Sequence, residues 1–348
     1  MNCILFHDIC LSMITSKELA KIAGVSPSTV SRVMNDSPRI SEERKAQIRK
    51  LAIEHGFMLN SQAQSLKTKK TGTIAILMPK YFSDLCTNIF FTYLYDIISN
   101  ELDRYDYDIM VIYSQNKTKM SPLVRMIQIQ KADGYLILRP NLTKNEVKTL
   151  DQYNIPYAAI FMQNILQPLK NTFFINTEQG GYLAGQYFGR KKFDTLIFLG
   201  LEGNSVDNGP RLKGFTKGIA ETNNKQNISI FSGKMSIDGG YKAIKENAHL
   251  ISNNSGIYAY NDMMALGAIN ALTEIGFKIP SEVEILGTDD VPLATAFRPA
   301  LSTIHAPIHD LAKEACKTLI NTIENGWTSS VVKEYTPSLV LRDTTKNI

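Results

Sequence analysis

Two groups of polar side chains in this sequence could form binding sites. The first group follows Gly24 and combines short hydroxyl side chains with one arginine and one amide. An arginine can pair with a guanine edge or a phosphate, and hydroxyl side chains bind phosphate oxygens, so this group suits contact with duplex DNA. Its members are Ser26, Pro27, Ser28, Thr29, Ser31, Arg32 and Asn35.

The second group follows apolar runs in the remainder of the chain. Arg211 stands in the run RLKGF, Asn261 follows GIYAY, and Asp289 follows EILGT. Each side chain can form directed hydrogen bonds to hydroxyl groups, so together they suit a polar ligand such as a sugar. Tyr81 and Phe82 follow the first apolar strand and could supply aromatic walls.

Both groups also have purely structural interpretations. Asp262 and Asp290, which neighbour the second group, are better placed as helix N-caps than as ligand contacts. Spacing alone favours a solvated position for Arg211. The first group could form the solvated face of an ordinary three-helix bundle.

Three short helices are predicted in this part of the chain, and the first group lies on the second of them. Thr15 and Glu18 form a capping box, and the helix that they open ends near Gly24. Ser26 can cap a second helix, with Pro27 at its first position. A third helix is capped by Ser41 and ends at Gly56. The predicted inner faces of the three helices are, in order, Leu19, Ala20, Ile22 and Ala23; Val30, Val33 and Met34; and Ile48, Leu51, Ala52 and His55. Two helices joined by a glycine-containing turn are typical of a helix-turn-helix, whose second helix enters the major groove.

The net positive charge of the chain is confined to this segment. Residues 13–70 contain 11 Lys or Arg and 5 Asp or Glu, whereas residues 71–348 contain 27 of each. A local excess of +6 next to a neutral remainder is expected where a protein neutralises phosphates.

The remainder of the chain alternates strand and helix patterns. Apolar strands are predicted at 72–79, 107–114, 135–138, 157–161, 195–200, 228–231, 256–260, 283–287 and 302–305, with helical segments between them and a last strand in TPSLVLRDTT. Such alternation predicts an α/β fold with parallel sheets covered by helices on both faces. The number of strands exceeds one comfortable open sheet, so two Rossmann-like lobes are expected.

The runs AGVSPSTVSRVMND and SPRISEE, followed by N-x-x-A-x-x-L at Asn60, Ala63 and Leu66, resemble the lactose-repressor (LacI/GalR) family of bacterial transcription regulators. The resemblance implies that 60–71 form a hinge helix and linker and that Leu66 wedges into the minor groove at the operator centre, where an apolar side chain can unstack a base step. Leu59 and Gln64 replace the proline and arginine that are usual there.

The same resemblance implies periplasmic-binding-protein-like lobes at about 72–160 plus 306–330 and about 162–303 plus 335–345, with Arg211, Asn261 and Asp289 contacting an effector. Phe161 and Met235 stand where relatives often have an aspartate and a stacking aromatic ring, so one side of the effector pocket should be apolar. These departures weaken the prediction of any particular monosaccharide.

Enzyme motifs are absent from the sequence. It contains no phosphate-binding G-x-x-x-x-G-K-[ST], no G-x-S-x-G and no H-E-x-x-H, and its four cysteines show no C-x-x-C pair, so neither catalysis, nor a cofactor, nor a metal site is expected. There is no signal-peptide pattern and no apolar run of membrane-spanning length. A cytoplasmic location is expected, which also argues against a periplasmic-type sugar receptor, the remaining alternative.

The sequence therefore predicts a transcriptional repressor with a disordered extension at 1–12, a helix-turn-helix domain at 13–59, the hinge, and an effector-binding core at 72–348. Met13 could be the true start. The expected partners are palindromic operator DNA, a second copy of the chain in a homodimer, and a small polar effector, most simply a sugar, with a nucleobase or a corepressor as alternatives. Because no heptad repeat follows the last strand, a dimer is expected and not a coiled-coil tetramer.

Overall fold

The computed structural model describes residues 14–57, 70–79, 89–113, 120–139, 141–161, 169–203, 208–222 and 226–346. The chain divides into two compact units, Met1–Thr71 and Gly72–Ile348. The hinge residues Asn60, Ala63 and Leu66 and the aromatic residues Tyr81 and Phe82 lie outside the described residues, as does the extension at 1–12.

The first unit contains the three expected helices. They are α1 (Ser16–Ile22), α2 (Pro27–Met34) and α3 (Glu42–Glu54). Thr15 and Glu18 form the capping box on α1, and Ser26 and Ser41 cap α2 and α3 through their hydroxyl groups. The shared core consists of Leu19, Ala20, Val30, Val33, Ile48 and Ala52.

Two residues of the predicted inner faces are exposed instead. The Ile22 side chain is 43% exposed at the end of α1, and His55 is the exposed C-cap of α3. Both stand at helix ends, where the chain turns away and the helical period no longer determines which face is buried. Lys45, which is not one of the predicted inner-face residues, is only 3% exposed.

The second unit contains two six-stranded sheets with the same order of strands. Strands β1 (Thr73–Met78), β2 (Asp108–Tyr113), β3 (Gly134–Ile137), β4 (Tyr157–Ile160), β5 (Asn171–Ile175) and β11 (Val331–Tyr335) form the first sheet in the order β11-β5-β4-β3-β1-β2. Strands β6 (Thr195–Leu201), β7 (Ile228–Gly233), β8 (Ser255–Ala259), β9 (Val283–Asp289), β10 (Ser302–His305) and β12 (Ser338–Val340) form the second in the order β12-β10-β9-β8-β6-β7.

Helices connect these strands. In chain order they are α4 (Ile89–Asp103), α5 (Pro122–Gln128), α6 (Lys144–Gln152), α7 (Thr177–Gly189), α8 (Asn208–Ala220), α9 (Ile237–Glu246), α10 (Asp262–Ile275) and α11 (Ile308–Asn325). All described strand pairs are parallel except β10 with β12, and each sheet has an apolar core on both faces. The expected α/β fold of two Rossmann-like lobes is therefore confirmed.

The boundary between the predicted lobes needs correction. Strand β5 pairs with β4 in the first sheet, although the segment from 162 onward was assigned to the second lobe. Strand β11 also belongs to the first sheet, beyond the predicted limit of 330. Neither strand was predicted, because β11 is an edge strand with charged and exposed side chains and β5 begins with polar residues.

Candidate functional site

Helix α2 presents the first polar group on its outer side. Ser26, Pro27, Ser28, Arg32 and Asn35 are exposed, and Thr29 and Ser31 are half-buried. The Ser26 hydroxyl lies 2.7 Å from that of Ser28 and 2.9 Å from that of Thr29. The Asn35 amide donates to the carbonyl oxygen of Ser31 at 2.7 Å. The resulting surface is polar, carries one cation, and has the composition of a helix that reads a major groove.

An ion cluster after α2 fixes that helix against α3. Asp36, with a φ of 51°, lies 3.1 Å from the Lys45 ammonium and 2.7 Å from the Arg49 guanidinium. Lys45 also pairs with Glu42 at 2.7 Å. Hydrogen bonds from Lys45 and then Arg49 hold the pKa of Asp36 below its usual value. Sequence patterns did not predict this cluster, whose only local signal was the polar N-D pair at the end of the helix.

The second polar group lies at one edge of the second sheet. Strands β6, β7, β8 and β9 are parallel, so their carboxyl ends share that edge. Asn261 follows β8, Asp289 ends β9, and Arg211 lies in α8, which follows β6. The solvated position that spacing favoured for Arg211 is therefore wrong, because this side chain is only 7% exposed.

Tyr260 holds the guanidinium of Arg211. The Arg211 Nη1 donates to the Tyr260 carbonyl oxygen, and its guanidinium carbon lies 4.5 Å from the centre of the Tyr260 ring. Below them, burial raises the pKa of the Tyr258 hydroxyl, while the charge of Arg211 opposes this shift and that of Asp289 adds to it. The charges of Arg211 and Asp289 thus act in opposite directions on the same buried hydroxyl group. Tyr260 was not among the predicted site residues, although the position directly after β8 was the available signal.

Asn261, and not Asp262, caps α10. The Asn261 Oδ1 accepts from the Met264 backbone N–H at 2.9 Å, which leaves the amide Nδ2 as the atom that could donate to a ligand. Asp262 is fully buried and accepts from the Thr303 hydroxyl at 2.6 Å and from the Val291 N–H at 3.0 Å. Burial, and next the charge of Asp289, raise the pKa of Asp262 well above its usual value.

Asp290 is not a helix cap either. Its carboxylate accepts from Arg342 at 2.6 Å and lies 3.0 Å from His305 Nδ1. Asp289 and Asp290 both have positive φ, 111° and 60°. Such backbone costs about 1–3 kcal/mol per residue and is concentrated at functional sites, where the surrounding structure maintains it.

Aromatic rings accompany Phe161 at the carboxyl edge of the first sheet. Phe161 follows β4, has a φ of 67°, and its ring lies 5.6 Å from that of Phe90 and 6.3 Å from that of Phe91. Phe90 and Phe91, which lie in the first turn of α4, were not among the predicted site residues. Met235 follows β7 and packs, half-buried, against the second-lobe core. These rings form an apolar group at the carboxyl edge of the first sheet, and their place in an effector pocket stays a prediction.

Glycines bring α8 close enough to α7 to position Arg211. A Cβ on Gly181 would lie 2.0 Å from the Arg211 carbonyl oxygen, and one on Gly214 would lie 1.9 Å from the Glu178 carbonyl oxygen. Helices α9 and α10 meet in the same way through Gly240 and Gly267. Both polar side chains, Arg211 and Asn261, therefore depend on helices in backbone contact.

Other kinds of site find no support in the described residues. They contain no cluster of His, Cys, Asp or Glu that could hold a metal, and no helix among them could cross a membrane. A surface cavity of about 500 Å³ lies between α4 and α11, and none of the predicted effector residues lines it.

Both units of the chain match families of known proteins. Residues 15–60 match the family model described as bacterial regulatory proteins, lacI family, and residues 186–345 match a periplasmic binding protein-like domain. The chain is 29% identical to the HTH-type transcriptional repressor PurR of Vibrio vulnificus (strain CMCP6), over 97% of this chain and 100% of the relative. The chain belongs to the lacI family of bacterial regulatory proteins. The PurR repressor of Pectobacterium atrosepticum is 28% identical, over 95% of this chain and 96% of that protein.

Solved structures of lacI-family members share the fold. The lac repressor dimer bound to operator and the anti-inducer ONPF superposes with a TM-score of 0.80 at 21% identity, covering 96% of this chain and 99% of that one. A lacI-family regulator from Enterococcus faecalis V583 with bound ribose gives 0.67 at 24% identity, over 78% and 98%. As a family member, the protein is a DNA-binding transcriptional repressor and not an enzyme.

Proposed function

We propose that a small polar effector bound against Arg211, Asn261 and Asp289 controls the affinity of this repressor for its operator. The observation that carries the proposal is the position of the Arg211 guanidinium over Tyr260, next to Asn261, at the same edge of the sheet where Asp289 ends β9. A buried guanidinium held by a carbonyl oxygen and a ring has a fixed direction. A guanidinium so fixed can form directed, charge-assisted hydrogen bonds to a ligand.

Two effector classes fit this edge. An arginine, an amide and a carboxylate suit the hydroxyl groups of a sugar, which is the simpler candidate. The aromatic group of Phe90, Phe91 and Phe161 favours a second candidate, a nucleobase, because a flat heterocycle gains from contact with rings. In both cases the ligand would contact residues of the two lobes, so its binding would favour one arrangement of the lobes.

A thermal-shift screen of the full chain tests the effector site. D-ribose, D-glucose, D-galactose, adenine, guanine and hypoxanthine would be assayed against the wild type, Arg211→Ala and Arg211→Lys. A compound at this site should stabilise the wild type, stabilise Arg211→Lys less, and leave Arg211→Ala unchanged. The matched control is Arg190→Ala, which removes an exposed arginine from the same lobe. A compound that stabilises Arg211→Ala as much as the wild type contradicts the assignment.

We further propose that the repressor acts as a homodimer on a palindromic operator. One helix-turn-helix contacts a half-site, so two-fold pairing matches two half-sites about one helical turn apart. DNA selected in vitro by the full chain should contain an inverted repeat, and light scattering should give the mass of two chains. Selection of a single half-site by a monomer would contradict this proposal.

A further inference from the structure

The turn that presents Asp289 does not maintain its own conformation. Asp289 and Asp290 are consecutive residues with φ of 111° and 60°, values that side-chain-bearing residues rarely adopt. A backbone of this kind persists only where neighbouring groups hold it. Two carboxylates, Asp262 and Asp290, connect the turn to its neighbours.

Asp262 contacts the turn from the buried side. Its carboxylate accepts from the N–H of Val291 at 3.0 Å and from the hydroxyl of Thr303 at 2.6 Å, so it joins the turn to β10. The carboxylate approaches the backbone of Gly287 so closely that a Cβ there would lie 2.3 Å from Asp262 Oδ1. This side of the turn is therefore packed without spare room.

Asp290 connects the turn to the segments that run between the lobes. His305, which lies 3.0 Å from Asp290, is the last residue of β10 and is aligned with Asp289 on one side and Ser338 on the other. After His305 the chain passes into α11, which packs in the first-lobe core. Arg342 donates to the Asp290 carboxylate at 2.6 Å. It follows β12, the strand that the chain enters after it leaves β11 of the first sheet. The two segments that cross between the lobes here, after His305 and before β12, are called the passages. Asp290 thus contacts a residue next to each passage.

We propose that Asp290 is a positioning residue that couples effector occupancy at Asp289 to the arrangement of the lobes. Asp290, His305 and Arg342, here called the clasp, hold the turn and two passages together. A ligand that hydrogen-bonds to Asp289 changes the backbone of the turn, and the clasp passes that change to both passages. The effector part of this inference rests on the proposed function, because it takes Asp289 as a ligand contact.

A purely structural role for Asp290 makes a different prediction. If the carboxylate only neutralises Arg342, its replacement should lower stability, and ligand affinity and DNA response should weaken together. If it relays occupancy, the ligand should still bind while the DNA response is lost.

The first test uses the full chain without any ligand. Asp290→Asn keeps the size of the side chain and removes its charge. Hydrogen–deuterium exchange in peptides covering 304–309 and 334–342 should be at least about fivefold faster than in the wild type, with peptides of β8 unchanged. The matched control is Glu274→Gln, an exposed carboxylate of the same lobe that accepts from Tyr241 at 2.5 Å and from Lys245 at 3.0 Å. Unchanged exchange at both passages in Asp290→Asn overturns the proposal, whether or not any compound binds.

The second test separates binding from relay. With hypoxanthine and D-ribose as probes and DNA selected by the wild type, Asp290→Asn should bind the active probe within about threefold of the wild type. The change in DNA affinity caused by that probe should fall by about fivefold or more, a value within the usual range of allosteric coupling. Loss of probe binding in Asp290→Asn would make this residue a ligand contact and would overturn the relay. If neither probe binds the wild type, the effector proposal fails for these compounds and the coupling that rests on it fails too; the exchange result then decides only whether the clasp holds the two passages.

Discussion

Adding one methyl group at Gly181 should move Arg211 without changing any residue of the effector site. The new Cβ would lie 2.0 Å from the Arg211 carbonyl oxygen, 2.9 Å from its carbonyl carbon and 3.0 Å from the Phe215 nitrogen. Ordinary contact begins at 3.4 Å, so α8 must retreat from α7 by about 1.4 Å. All three neighbours are backbone atoms, so no side-chain rotation can relieve the overlap.

Two opposing contributions determine the effect of Gly181→Ala on stability. Overpacking costs about 1–3 kcal/mol, and the better helix propensity of alanine returns up to about 1 kcal/mol. The net loss should be about 1–2 kcal/mol, which lowers the melting temperature by roughly 2–8 °C in a domain of this size. A displacement of more than 1 Å exceeds the tolerance of a hydrogen bond, and a bond to a charged group contributes about 1.5–3 kcal/mol, so effector affinity should fall about tenfold or more.

Calorimetry and ligand titration of the full chain would measure both effects. Gly209→Ala is the matched control, because Gly209 lies in the same α8 and a Cβ added there would meet nothing within 4 Å. The control should retain wild-type stability and effector affinity. A Gly181→Ala protein that melts at the wild-type temperature and binds normally would refute the idea that backbone contact between α7 and α8 positions Arg211.

Four further predictions concern the DNA-binding unit and the end of the chain. Arg32→Ala should lose sequence preference in operator titrations while keeping salt-sensitive nonspecific binding, and Leu66→Ala should reduce the bend measured by gel mobility or energy transfer; normal specificity or normal bending would contradict these roles. The pKa of Asp36 is lower in the folded than in the unfolded chain, so this carboxylate stabilises the DNA-binding unit at pH values above its unfolded pKa. That stability is lost as the pH falls through the lowered pKa, so in acid melts the DNA-binding unit of Asp36→Asn should lose less stability than that of the wild type. Deleting 343–348 should destabilise the second lobe, because buried Thr344 bonds to Ser302 N and to the Ile285 carbonyl oxygen at 2.8 Å each; an unchanged melt would contradict this.

Local signals in the sequence were sufficient for the DNA-binding unit. The hydroxyl caps Thr15, Ser26 and Ser41 each act within three residues of their own position, so the helices that they open could be placed from the sequence. The apolar strands of the second unit were equally visible, because burial on both faces requires a continuous apolar run. Lys45 shows the limit of this approach, since its burial depends on Asp36 from the end of the preceding helix.

Long-range contacts determined the hydrogen-bond partners of the polar residues near the candidate effector site. From the sequence, Asp262 and Asp290 look like helix caps; in the fold they bond to Thr303 and to Arg342, which are distant in the chain. The assignment of β5 and β11 to the first sheet likewise depends on the pairing of β5 with β4 and of β11 with β5. No local pattern specifies such partners, because they are chosen by where separate strands end.

The sequence by itself determined the family, the DNA-binding helices and the α/β class, and it singled out Arg211, Asn261 and Asp289 as candidate effector contacts, since each depends on a local pattern or a motif. Only the tertiary structure decided that Arg211 is buried over Tyr260, that glycines bring α7 and α8 together, and that a strained turn joins Asp289 to the passages between the lobes. The physical reason is that burial, backbone contact and carboxylate partners are properties of segments far apart in the chain, which only folding brings into contact.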